Sequence, residues 1–115
     1  MGSEMCIRDR LKIGRQNFAV PEKLKPRDEP YRVRIDASDV ALAVNKPRGT
    51  SFQNILHGRV LAIEEMGDAY SDVTLSIDGQ PIISRVTHKA RNELSLAIDL
   101  PVFVMIKSVA VEGAR

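Results

Sequence analysis

Tryptophan is absent from this 115-residue chain, cysteine occurs once, and only Phe18, Tyr31, Phe52, Tyr70 and Phe103 carry aromatic rings. So few rings mean an aliphatic core of Val, Ile, Leu and Ala. They also argue against single-stranded nucleic acid as a partner, because bases need aromatic platforms to stack on and these five do not gather on one strand face. A lone Cys6 cannot close an internal disulfide. No Cys and His spacing of a metal site is present, and no resident cofactor is expected. Lys107-Ser108 follows a hydrophobic run rather than a glycine-rich loop, which excludes a nucleotide P-loop. No apolar run approaches a membrane span, and no signal-peptide pattern appears. Neither sign of charge dominates: the net charge is +2 with 28% charged residues, whereas a nucleic-acid binder would show a clustered basic face. His57 and His88 stand in no nucleophile motif and read as surface histidines. Glu64-Glu65 would point to opposite faces of a strand, which suits no paired acid–base device. Enzyme chemistry therefore finds no foothold, and no catalytic residue is expected.

What the chain does have is strand patterning. Leu11–Gly14 and Asn17–Pro21 read as two short strands around a turn, and residues 22–30, with Pro26 and Pro30 among charges, as a loop. Tyr31, Val33 and Ile35 alternate with Arg32, Arg34 and Asp36, the period of a half-buried strand. A turn at Asp36–Asp39 leads to an apolar strand, Val40–Val44, and Asn45-Lys46-Pro47-Arg48-Gly49 reads as a linker. A strand is expected from Ile55 to Glu65, with Gly58 as a bulge or close approach. Val73, Leu75 and Ile77 alternate with polar residues, Asp78-Gly79 signals a hairpin, and Ile82–Val86 returns. Thr87 is placed to cap a short helix over His88–Leu94. Val102–Ile106 is apolar on both faces, so it needs a second covering surface, either the first segment or a partner chain. Residues 1–10 differ from the rest, read as a leader or adapter-derived artefact, and are expected to be disordered. A weak repeat runs through the chain: Val33-Arg34-Ile35 followed by Val40-Ala41-Leu42 echoes Val104-Met105-Ile106 followed by Val109-Ala110-Val111.

Two polar stretches interrupt this apolar fabric. Thr50-Ser51-Phe52-Gln53-Asn54 runs into the long strand, and Lys107-Ser108 breaks the last one. Together they would form a polar notch at the end of two strands. A deprotonated tetrahedral dianion offers only acceptors, so its site is built from hydroxyls, amides and an ammonium. These residues supply that inventory without a carboxylate. Solvated strand ends carry the same residue types, and pattern alone leaves both readings open.

Five segments in order add a family resemblance: Thr50–Leu56, Gly58-Arg59-Val60, Arg85-Val86-Thr87, Glu93–Leu96 and Ile106-Lys107-Ser108-Val109 resemble the molybdate-binding Mop/TOBE module. Val33–Leu42 resembles the stretch preceding that module in the ATP-binding subunit of molybdate and tungstate ABC importers. The resemblance implies an all-β protein, with an OB-like Greek-key barrel over residues 49–112 carrying one short helix. A partial second β-module would occupy 11–48. It implies binding of molybdate or tungstate, usually at an interface between modules. Position by position, Ser51, Gln53, Asn54, Thr87, Lys107 and Ser108 would form the oxyanion site. Ser51 would give hydroxyl and amide donors, Thr87 and Ser108 further donors, Lys107 the charge, and Asn54 the fixing of the turn. Where the family often has Ser-x-Arg-Asn, this chain has Ser51-Phe52-Gln53-Asn54, which keeps a donor without the guanidinium charge. A homodimer is implied, cytoplasmic and peripheral to the inner membrane, with the importer's ATPase domain and membrane subunits as partners in the full-length protein. A free-standing storage protein and a ligand-less dimerisation module use the same fold.

Overall fold

The computed structural model describes residues 2–7, 12–13, 15–17, 31–52, 54–107 and 110–112. Its strands in chain order are β1 (Gly2–Ile7), β2 (Lys12–Ile13), β3 (Gln16–Asn17), β4 (Tyr31–Asp36) and β5 (Val40–Ala43). There follow β6 (Asn54–Met66), β7 (Tyr70–Ile77), β8 (Gln80–Thr87), β9 (Pro101–Ile106) and β10 (Ala110–Glu112). A single 3-10 turn, Ala37–Asp39, joins β4 to β5, and one short helix, α1 (His88–Glu93), follows β8.

The central sheet is antiparallel, with strand order β5-β9-β6-β7-β8. β6, β7 and β8 form a meander, and β9 returns beside β6, which is the Greek-key arrangement. The sheet curls until its edges meet: the buried Ser84 hydroxyl on β8 donates to the Val40 carbonyl on β5. The result is the expected OB-like half-barrel. Its inner face is aliphatic, as the scarcity of rings demands. Leu56 and Val60, Val73, Leu75 and Ile77, Ile82, and Val102, Val104 and Ile106 are all buried together. Full burial of each such side chain is worth roughly 1.5–3 kcal/mol.

Local chemistry explains the corners. Asp78 and Gly79 both take positive φ, 49° and 92°, the geometry of the primed hairpin turn that Asp-Gly favours. The Thr87 hydroxyl accepts from the Ala90 N–H at 3.0 Å, capping α1 as expected. Gly58 is a close-approach glycine rather than a bulge: a Cβ there would sit 2.8 Å from Val104 Cγ2. The bulge in β6 lies instead between Val60 and Ala62, where the register against β7 shifts. Ahead of the start of β9, the loop extends the ladder by two backbone bonds, Val60 N–H to Leu100 O and Asp99 N–H to Val60 O.

A second sheet, in the order β1-β4-β10, lies beside the first. Its presence changes the expected boundary at residues 48 and 49. β5, from the first segment, is the edge strand of the barrel sheet, pairing Val40 with Ile106 and Leu42 with Val104. β10, from the second segment, pairs with β4, Ala110 opposite Arg34 and Val111 opposite Val33. The two copies of the weak repeat thus pair crosswise, first strand with the other copy's second. Val33 and Ile35, both fully buried, belong to the same core as the barrel. On the second apolar face of β9, which lies between β5 and β6 in the sheet, Phe103 and Met105 are only half-buried.

Two further expectations are corrected. Within residues 1–10, Gly2–Ile7 form β1 and pair along their whole length with β4, and the Ser3 hydroxyl accepts from Ile83 N–H at 3.0 Å. Alternating side chains and an open edge on β4 suffice for this pairing. The first hairpin turns earlier than expected, at Arg15, so that β3 is Gln16–Asn17. The expected strand residues Phe18–Pro21 lie outside the described residues.

Candidate functional site

Three strand ends converge at one end of the barrel. Asn54 opens β6 opposite Ile106, the last residue of β9, and on the other side of β9 Ile106 lies opposite Val40, the first residue of β5. Thr50–Phe52 leads toward this point and Lys107 leads out of it, so the two polar stretches singled out in the sequence flank adjacent strand ends. The approach to β6 is shaped by two local devices. Gly49 adopts a positive φ of 60°, and the Phe52 N–H donates to the Thr50 hydroxyl at 3.2 Å. Ser51 is thereby held in an exposed bend ahead of β6.

The expected site residues differ in their situation. Ser51 and Lys107 are exposed, open to a ligand from solvent. Asn54 is buried at 8% exposure and engaged with neighbouring groups. Gln53 and Ser108 lie outside the described residues. Thr87 is not drawn into the convergence by the ladder. It pairs with Tyr70, and Tyr70 pairs with Met66, at the other end of β6 from Asn54. One lone pair of its hydroxyl is already used by Ala90, although the hydroxyl hydrogen is still available to donate.

One neighbour went unnoticed in the sequence. The Lys107 N–H donates to the Asp39 carbonyl at 2.8 Å, so the 3-10 turn of the first segment buttresses the site and the Lys107 amide is spent. The crosswise repeat was the signal that could have found it, because it sets Asp36–Asp39 against Lys107-Ser108. In that alignment the counterpart of Lys107 is Asp36, so the two copies carry opposite charge at this position.

Other charged and polar groups nearby have settled roles. Arg85 of β8 and Asp72 of β7 are cross-strand partners joined by two bonds, Nε to Oδ1 at 2.8 Å and NH2 to Oδ2 at 3.0 Å. Hydrogen bonding to Arg85 holds the Asp72 carboxyl below its ordinary range, against the opposing effect of its burial. The Arg85 guanidinium is therefore committed to a carboxylate. His57 is exposed as expected, its ring 5.0 Å from that of Phe103. His88 departs from the expected surface histidine: it is half-buried, and its Nε2 is buried without a partner, as is Ser71 Oγ. The His88 backbone N–H donates to Ala69 O at 2.9 Å and ties the start of α1 to the turn ahead of β7. Among the described residues no helix is long and apolar enough to cross a membrane.

Comparison with known proteins bears on the family and the fold. A family model, the TOBE domain, matches residues 50–112. The "Molybdenum import ATP-binding protein ModC" of Rhizobium etli is 37% identical over 94 residues, which is 82% of this chain and 26% of that protein. The protein of the same name from Pasteurella multocida is 41% identical over 83 residues, 72% of this chain and 23% of its own length. This chain spans about a quarter of the length of these curated relatives. Among solved structures, the cytoplasmic molybdate-binding protein ModG, in a crystal form with molybdate bound, superposes with a TM-score of 0.65 at 31% identity. That match covers 71% of this chain and 60% of the other. The matched fold is one of binding and not of catalysis. By its matched region and its curled sheet, this chain belongs to the TOBE domain family.

Proposed function

We propose that this chain binds molybdate or tungstate where β5, β6 and β9 converge, and that it serves as the regulatory domain of an importer's ATP-binding subunit. The observation that carries the reading is the pairing of Asn54 with Ile106, which sets the polar approach to β6 and the exposed Lys107 after β9 on adjacent strand ends. A tetrahedral dianion needs donors on several sides and one compensating charge. Ser51 and Lys107 supply hydroxyl and ammonium, Gln53 and Ser108 would add donors, and Asn54, being buried, would hold the bend. The importer relatives and the molybdate-bound structural neighbour support the choice of anion.

Exposure of Ser51 and Lys107 leaves a lone copy with an open site, in which charge attraction is weakened by water. A homodimer sharing the site would close it, and Thr87 of a second copy would add the hydroxyl that the ladder keeps away from Ser51. Regulation follows if the importer's two states bind the anion with different affinity, since only a difference shifts the balance between them. In the full-length protein the domain would act on the cytoplasmic side, beside the ATPase domain and the membrane subunits.

The test is a thermal melt with molybdate, tungstate, sulfate or phosphate at equal ionic strength and at two protein concentrations. A hundredfold excess over the dissociation constant adds about 2.7 kcal/mol, or roughly 10 °C for a chain of this size. Molybdate and tungstate should raise the melting temperature, and Ser51→Ala and Lys107→Ala should each remove the rise. No response to any anion, with a melting temperature that climbs with protein concentration, would replace this reading with a dimerisation module.

A further inference from the structure

The start of β6 is clamped unevenly. Asn54–Arg59 pair with β9, but pairing with β7 begins only at Arg59, because β7 turns into β8 at Asp78-Gly79. On that side the backbone of His57 faces a position that none of the described strands occupies. The Gln16 side chain fills it: His57 N–H donates to Oε1 at 2.6 Å, and Nε2 donates to the His57 carbonyl at 2.8 Å. This is the two-bond exchange that a residue of a neighbouring antiparallel strand would make. Beside it, the Asp78 carboxylate accepts from the Arg15 N–H at 3.0 Å and from Gln16 Nε2 at 3.4 Å.

These bonds are exposed to solvent, and the hairpin that makes them consists of two strands of two residues each. Such a hairpin has little stability of its own. An element held by a few exposed hydrogen bonds opens at far smaller cost than a buried strand.

We propose that the β2–β3 hairpin is a detachable strap, and that its docking on His57 and Asp78 is coupled to occupancy of the oxyanion site. The second half of this statement rests on the reading given under Proposed function. Ser51–Asn54 runs directly into the strapped stretch of β6. With the strap docked, the backbone of that stretch is hydrogen-bonded on both sides; with the strap released, among the described strands only β9 pairs with it. An anion ordering Ser51–Asn54 and a strap ordering His57 act on one continuous segment, so each favours the other, and the coupling is reciprocal.

Amide hydrogen exchange, followed by NMR on the whole chain and on Gln16→Ala and Gln16→Glu with and without molybdate, tests both halves. Gln16→Ala deletes both bonds to His57. Gln16→Glu removes the donor and sets a carboxylate against Asp78 and the His57 carbonyl, all acceptors. The His57 amide of Gln16→Ala should exchange about tenfold faster, the scale set by two exposed hydrogen bonds. That of Gln16→Glu should be faster still, while the amides of Val73 and Leu75 keep their rates. Equal acceleration of the core amides, or no change at His57, overturns the strap. Molybdate should slow His57 exchange in the unmodified chain, and calorimetry should find it bound several-fold more weakly by Gln16→Ala. Equal affinity for the two overturns the coupling. No molybdate binding by the unmodified chain ends both the oxyanion reading and the coupling, and the exchange rates alone then decide the strap.

Discussion

Gly58→Ala probes how closely β6 and β9 are laid together. The new methyl would stand 2.8 Å from Val104 Cγ2, 3.3 Å from the Ser76 carbonyl oxygen and 3.5 Å from Ile77 Cγ1. Optimal carbon–carbon contact is about 3.5–4.0 Å, so the first neighbour must move. Val104 is fully buried and, being β-branched, has few rotamers to move into. The second neighbour is backbone of β7 and is fixed by the ladder. Overpacking of this kind costs about 1–3 kcal/mol. The conformation of Gly58 is not left-handed, so the backbone itself adds no strain, and the lowered entropy of the unfolded chain returns about 0.4–1 kcal/mol. The expected net loss is about 1–2 kcal/mol, or roughly 4–8 °C in melting temperature for a chain of this size. Urea unfolding followed by circular dichroism should show a lower midpoint at an unchanged slope. In a Val104→Ala background the same substitution should cost at least about 0.5 kcal/mol less, because the crowding methyl is gone. A Gly58→Ala chain as stable as the original, or strict additivity with Val104→Ala, would refute the reasoning.

Three other substitutions test separate links. Arg85→Met leaves the buried Asp72 carboxylate without its partner and should lower the urea midpoint at neutral pH. Because Arg85 lowers the folded Asp72 pKa, the pair stabilises above the ordinary carboxylate value of about 3.9 and loses that contribution as pH falls through the lowered value. Urea titrations should therefore find the gap between variant and original narrowing in acid. Ser84→Ala strips the Val40 carbonyl of its donor where the sheet closes, at a cost of about 1–3 kcal/mol, and a neutral result would deny that this bond closes the curl. Thr87→Ala should lose about 1 kcal/mol from the helix cap in the absence of any anion and also blunt the molybdate shift, whereas Thr87→Ser should preserve both. An intact molybdate shift in Thr87→Ala would leave Thr87 as a cap alone.

The strands were legible because period-2 alternation is written residue by residue. Val33 and Ile35, then Val73, Leu75 and Ile77, all turn inward as their spacing demands. Asp78-Gly79 and Thr87 were readable for the same reason, since turn and cap chemistry is local. Partner choice among strands is not local. The repeat between the two segments was visible, but nothing in it says that Val40 pairs with Ile106, or Val33 with Val111, across the linker. β1 was missed because its pairing depends on an open edge that exists only once β4 is formed. At the candidate site, Ser51 and Lys107 were singled out by donor chemistry and are exposed, while Asp39 gave no side-chain signal, because it acts through its carbonyl and only the repeat hinted at its place.

The crosswise pairing has a consequence for how this chain can be divided. A polypeptide beginning at residue 50 would keep the whole region that defines the family yet present β9 with a bare edge, and β10 with no strand to join. The complementary piece would keep β1 on β4 but lose β10 from its other edge, and would hold β5 without β9. Each half is the other's template. A chain nicked in the exposed stretch Asn45-Lys46 should stay together as a two-piece assembly, and separately made halves should complement each other only when mixed.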